Sequence, residues 1–119
     1  MSVSITPTGQ TSAEITWEPG DDPQGYLARA VESDQLAYAL EALGNGGTGP
    51  ADAKAALSAA MHTTTLARLL ERRATVQVVR LRDDHGLSWR QIASAIYDDP
   101  DRQSSVRRMY DSGRRHLGV

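Results

Sequence analysis

Gly86-Leu87-Ser88-Trp89-Arg90-Gln91-Ile92-Ala93 carries the signature of a helix start, and the elements on either side take their limits from it. The Ser88 hydroxyl can accept from the amides of the next turn, while the Gln91 side chain, three residues on, reaches back to the Ser88 amide in a capping box. Leu87 and Ile92 fall at the two positions of a hydrophobic staple. Gly86 can take the positive φ that ends a preceding helix. The pattern predicts a helix over Val76 to His85, a tight turn, and a second helix over Ser88 to Tyr97, with a third after Pro100.

In the third helix Val106, Met109, Tyr110, Gly113 and Leu117 are spaced to share one face, predicted to pack on Ile92, Ala93 and Ile96 of the second. The opposite face is polar. It carries Ser104, Arg108, Asp111 and Arg115, flanked by Ser105, Arg107, Ser112 and Arg114, with Gln103 at the amino-terminal end. A glycine in mid-helix costs on the order of 1 kcal/mol against alanine, so Gly113 marks a close helix contact, the favoured reading, or the helix end.

The run Leu81-Arg82-Asp83-Asp84-His85-Gly86-Leu87-Ser88-Trp89-Arg90-Gln91-Ile92-Ala93-Ser94-Ala95-Ile96, with Arg102-Gln103-Ser104-Ser105-Val106-Arg107-Arg108-Met109-Tyr110 after it, resembles the helix-turn-helix of bacterial DNA-binding proteins. The style is that of sigma factor region 4 and small actinobacterial regulators, and the resemblance covers residues 68–117 only. It departs from the pattern at Tyr97-Asp98-Asp99-Pro100-Asp101, a longer connection than such proteins place between the second and third helices.

The resemblance implies a mainly α fold, a helical bundle containing a C-terminal three-helix unit at 76–117, and a sequence-specific binder of double-stranded DNA, a transcriptional regulator. The helix from Gln103 then enters the major groove. Recognition helices read base edges with their first turns, which implies Gln103, Ser104, Arg107 and Arg108 as base-reading residues. An arginine fork binds guanine at two acceptors, glutamine binds adenine at two atoms, and serine serves either base or phosphate. Arg90, Arg102, Arg114 and Arg115 are placed for phosphate. The amides of Trp89 and Arg90 offer a further phosphate contact, for which Ser88 capping competes. Asp98, Asp99 and Asp101 count against this reading, because three carboxylates in the turn repel a nearby DNA backbone.

Charge distribution is consistent with such a split of roles. Residues 1–67 hold two basic side chains, Arg29 and Lys54, against eight acidic ones, a net of −6, whereas residues 68–119 hold eleven arginines against seven acidic residues, a net of +4. A basic half beside an acidic half suggests one surface for a polyanion and another for a different partner. Among 119 residues there is no cysteine, which removes a disulfide framework and a thiolate metal site. No charged-then-apolar leader and no long apolar run occurs, so the expectation is a cytoplasmic chain without a signal peptide or membrane span.

The amino-terminal stretch alternates apolar and polar residues. Val3 and Ile5 precede Pro7-Thr8-Gly9-Gln10, and Ala13, Ile15 and Trp17 follow it, which predicts a short β-hairpin or arm turning at Thr8-Gly9, with the odd-numbered residues on one face and Trp17 as anchor. A disordered tail is the alternative, since Ser and Thr dominate. Asp21-Asp22-Pro23 suits a helix start, whose apolar face of Tyr26, Leu27, Ala30 and Val31 continues in Leu36, Leu40 and Leu43 after a break at Ser33-Asp34. Gly44 to Pro50 reads as a linker, giving an acidic arm at 1–49 for dimerisation or partner contact and a helical DNA-binding domain at 50–119. Within the latter, Pro50 opens an alanine-rich helix over Ala51 to Met61, and Thr63-Thr64-Thr65 interrupts it or caps a new start. Leu66, Leu69, Leu70, Ala74, Val78 and Leu81 then form a stripe, read as core in preference to a homodimer seam. No winged-helix hairpin is expected after Val119.

Catalysis has little support in the residues. His62, His85 and His116 are isolated from any ligand spacing, His85 being placed to favour a helix C-terminus, and Gly44 to Gly49 lacks the Lys-Ser/Thr of a phosphate loop. The expectation is therefore a non-enzyme without cofactor or metal. The competing class is a protein-protein interaction module, an adaptor or antitoxin-like protein, in which the three-helix unit or the acidic half grips a partner.

Overall fold

The reciprocal bonds written into Ser88 and Gln91 both form. In the computed structural model of the chain, which describes residues 2–44 and 52–119, the Gln91 amide donates to Ser88 Oγ at 3.1 Å and the Ser88 amide donates to Gln91 Oε1 at 2.8 Å. The elements in order are β1 (Ser4–Gly9), β2 (Ser12–Thr16), a single 3₁₀ turn (Pro19–Asp21), α1 (Tyr26–Glu32), α2 (Gln35–Gly44), α3 (Ala53–Asp83), α4 (Trp89–Tyr97) and α5 (Gln103–Leu117). The chain is mainly helical, with a small antiparallel strand pair at its amino terminus. Its contacts divide it into two units, Met1–Thr63 and Thr64–Val119, so the boundary falls within α3. Most of the expected linker, together with the helix start at Pro50, lies outside the described residues.

In the first unit β1 and β2 pair with Ile5 opposite Ile15 and Pro7 opposite Ala13, so the odd-numbered apolar side chains do share a face. The turn sits two residues later than Thr8-Gly9: Gln10 and Thr11 make it, because a register shift between Pro7 and Gly9 lets Gly9 pair with Ser12. Thr8 Oγ1 and Ser12 Oγ, 2.7 Å apart, close that end. The hairpin is exposed throughout except for half-buried Ile15, and Trp17 is half-buried just beyond it.

The acidic cap acts at a distance. α1 does not start at Pro23 but at Tyr26, and Asp22 still caps it, its two carboxylate oxygens accepting from the amides of Leu27 (2.9 Å) and Ala28 (3.0 Å). The break at Ser33-Asp34 is present, with Asp34 at a φ of +62°. Tyr38 of α2 stacks on His62 of α3, ring centroids 5.3 Å apart.

α3 corrects the expected interruption at Thr63-Thr64-Thr65. It runs unbroken for 31 residues, opened by the Asp52 carboxylate accepting from the Ala55 amide at 2.9 Å. No glycine or proline lies between Ala53 and Asp83, and threonine costs a helix only some tenths of a kcal/mol, too little to stop one held by packing. The helix therefore ends at Asp83, leaving His85 in the turn and outside it. Along the stripe Val78 is buried, Leu66, Leu69, Ala74 and Leu81 are half-buried, and Leu70 is 60% exposed.

The core of the second unit is Val78, Ile92, Ala93 and Val106, with Leu81, Leu87, Trp89, Tyr97, Met109 and Tyr110 packed around it. Gly86 takes a φ of +66°, and the Leu87 amide folds back to Leu81 O at 3.1 Å, turning the chain from α3 into α4. Leu87 and Ile92 enter the same cluster, as a staple requires. Gly113 is a contact and not a helix end: a Cβ there would overlap the Thr75 carbonyl and come within 2.7 Å of Val79 Cγ2.

Two expected core residues are not core. Ile96 is 44% exposed because the buried line of α4 passes through Ala93 to Tyr97, four residues on, whose ring takes the place beside Met109. Leu117 is 45% exposed, a full turn past Gly113 where the buried line ends. Conversely Ser105, expected on the polar flank, is buried, since the line Ser105, Met109, Gly113 is the one that meets the core.

The capping box makes a local prediction. Ser88→Ala is expected to lower stability by about 1 kcal/mol, with Ser88→Asp retaining most of it, read from the midpoint of urea denaturation. An alanine variant as stable as the parent would show that α4 is fixed by packing alone.

Candidate nucleic-acid interface

α4 presents its outer side between the capping box and the turn that follows. An open hollow of about 330 Å³ lies there, lined by Ser88, Arg90, Gln91, Ser94 and Pro100. Arg90 stands at its edge, well exposed, with Nη1 3.7 Å from the Asp101 carboxylate. Between two exposed side chains such a pair is worth roughly 0–1 kcal/mol, so it does not hold Arg90 away from another anion.

The acidic turn is organised by its own side chains. Asp98 ends α4 at a φ of +54°, the Asp101 amide donates to Asp99 Oδ1 at 2.9 Å, and the Arg102 amide donates to Asp99 O at 3.2 Å. Asp99 thus spends part of its acceptor capacity within the turn, and Asp101 faces Arg90. Asp98 is exposed.

α5 opens at Arg102 with no side-chain cap, and its first turns carry the candidate base-reading residues. Ser104, Arg107 and Arg108 are exposed, whereas Gln103 is half-buried with its amide donating to Pro100 O at 3.4 Å. Ser105 is the organiser that periodicity missed. Its Oγ accepts from Arg102 Nε at 3.4 Å and from Arg108 Nη2 at 3.3 Å, tethering arginines three residues to either side. The signal for it was present: a serine flanked at helical spacing by two arginines.

The candidate phosphate residues fall in two places. Arg90 and Arg102 flank the acidic turn, Arg102 lying 4.5 Å from the centroid of the Tyr97 ring. Arg114 and Arg115 are exposed in the last turns of α5, Arg114 lying 5.8 Å from the Tyr110 centroid. The basic last turn also suits the negative end of the helix dipole, a structural role that these arginines serve in any case.

Tyr110 locks α5 against the end of α3, its hydroxyl donating to Asp83 Oδ1 at 2.7 Å. That hydrogen bond, reinforced by burial and by the Asp83 charge, raises the phenol above its ordinary value, with Arg114 and Arg82 opposing. A folded-state value above the unfolded one means that the stabilisation is complete below about pH 10 and is lost as pH rises through the folded-state value. The stability of the parent chain is therefore expected to fall more steeply above about pH 10 than that of Tyr110→Phe, measured by denaturant titration across that range. Parallel curves would remove the Asp83 bond from the account.

With this geometry in hand, comparison with protein-family models, with curated proteins and with solved structures yields no match to any of them. Among the described residues no group of three or more His, Cys, Asp or Glu side chains is placed to hold a metal ion, and no helix is long and apolar enough to cross a membrane.

Proposed function

We propose that the second unit is a helix-turn-helix in the style of sigma factor region 4 and that the protein binds double-stranded DNA with sequence preference, as a transcriptional regulator. One observation carries the reading: α5 is fastened along one side, by Val106, Gly113 and Tyr110, while its other side offers Ser104, Arg107, Arg108 and Arg115 to solvent. A major groove admits one such helix. Gln103, Ser104, Arg107 and Arg108 lie nearest the base edges in this docking, and Arg90, Arg102, Arg114 and Arg115 contact the phosphates on either side. Asp99 accepts from the Asp101 amide and Asp101 lies 3.7 Å from Arg90, which offsets part of the charge the acidic turn would present to the DNA backbone.

Arg108 is the discriminating residue. Its side chain is exposed and its guanidinium is steadied by the long bond from Nη2 to Ser105 Oγ, which places it to fork onto guanine, so Arg108→Ala is expected to relax preference at one position of the selected site by about 1–3 kcal/mol. Selection from random duplexes with parent and variant measures it. A variant that keeps the parent preference at every position removes Arg108 from base reading.

A protein contact at the first unit has its own support. Leu40, Leu43 and Leu57 are exposed there, in the acidic half of the chain, which favours a second copy or a basic protein surface as an additional partner. A homodimer places two half-sites about one helical turn apart, so the symmetry of the selected site reports on it.

A further inference from the structure

Three arginines converge on one aromatic pair in the second unit. Trp89 and Tyr110 meet edge to face, with ring centroids 5.1 Å apart and planes at 83°. Arg82, from the end of α3, lies 4.5 Å from the indole centroid, and Arg107, from α5, lies 5.5 Å from the same centroid. Arg114 joins from the Tyr110 side at 5.8 Å. On α5 Arg107 and Arg114 stand two turns apart with Tyr110 between them, so one edge of the helix presents both.

The cluster carries an excess of positive charge. Asp83, which accepts from the Tyr110 hydroxyl through Oδ1, sets one carboxylate beside three guanidiniums. Among the described residues no carboxylate lies within ion-pair distance of Arg82, Arg107 or Arg114. An indole attracts a guanidinium through its ring quadrupole, but it carries no charge to cancel two of them. Arg82 spends Nη1 on Leu87 O at 3.0 Å, which fixes its plane and leaves its other donors. Such a pair, held in place before any ligand arrives, is complementary to an oxyanion with several acceptor oxygens.

We infer that Arg82 and Arg107, held on Trp89 with Arg114 beside them, form a site for one phosphate group, supplied by the backbone of double-stranded DNA. Arg107 is then a phosphate ligand and separates from the base-reading Gln103, Ser104 and Arg108. Arg82, in the last turn of α3, joins the interface. The source of the phosphate rests on the DNA reading of α5; the chemistry is that of any phosphodiester or phosphate ion.

The test uses the full chain carrying Trp17→Phe, which leaves Trp89 as its single indole. Trp89 emission is followed while a random-sequence duplex, and separately inorganic pyrophosphate, is added at low salt; binding and its salt dependence are then compared with those of Arg107→Gln in the same background. The expected result is a change of emission with both ligands. Arg107→Gln is expected to weaken binding to every duplex by a common factor of about ten and to reduce the steepness of the salt dependence by about one, with base preference kept. Relaxed preference at one base with an unchanged salt slope would overturn the assignment, as would an indole that responds to neither ligand. A response to pyrophosphate without any duplex binding would support the phosphate site and overturn its DNA source.

Discussion

Gly113→Ala is expected to destabilise the second unit by about 3 kcal/mol, a shift of more than a hundredfold in its folding equilibrium. Alanine is the better helix former by about 1 kcal/mol, so in an exposed helix the same change would stabilise. Here the added Cβ meets the Thr75 carbonyl and, at 2.7 Å, Val79 Cγ2 on α3. The Val79 methyl has rotamers to yield into, but the Thr75 backbone belongs to an uninterrupted helix and has none. α5 must therefore withdraw from α3, which opens the packing around Val78 and Val106 and lengthens the Tyr110 to Asp83 bond. Guanidinium denaturation of parent and variant measures the loss. A variant more stable than its parent would mean that the two helices do not approach at this point, and the placement of the whole α5 polar face would fall with that contact.

The second large effect is on binding. Four arginines assigned to phosphate, before Arg82 and Arg107 join them, imply a logarithmic salt slope of about −4 or steeper, so affinity for duplex DNA is expected to fall by at least roughly two orders of magnitude between 50 and 200 mM salt. The first unit, at a net −6, has only two cationic side chains to release counterions, so it is expected to add little to that slope. Fluorescence anisotropy with a labelled duplex gives the slope directly. A slope near zero would identify the arginines of α5 as solubilising charge and leave the interaction-module reading in possession.

What could be read from the residues alone was local. The capping box, the staple, the positive φ of Gly86 and the shared odd face of the hairpin each depend on side chains within a few positions of one another, and each is present. Asp22 caps α1 as an acidic residue before a helix should, but from four residues upstream of Tyr26, a reach set by the loop and not by spacing. Long-range geometry was illegible. Arg82, Trp89 and Arg107 sit on three helices and meet only through the angles at which those helices pack, and Ser105 is buried because the contact line of α5 is rotated slightly from its most hydrophobic line. Thr63 to Thr65 misled for a different reason: three weak helix formers look like a boundary until the helix on either side is held by packing.

Selection from a random duplex library at moderate salt decides whether α5 reads DNA in a major groove. The expected result is an enriched motif containing a guanine whose selection is lost in Arg108→Ala while folding, judged by the denaturation midpoint, is unchanged. A library that returns no motif with the parent protein would contradict it.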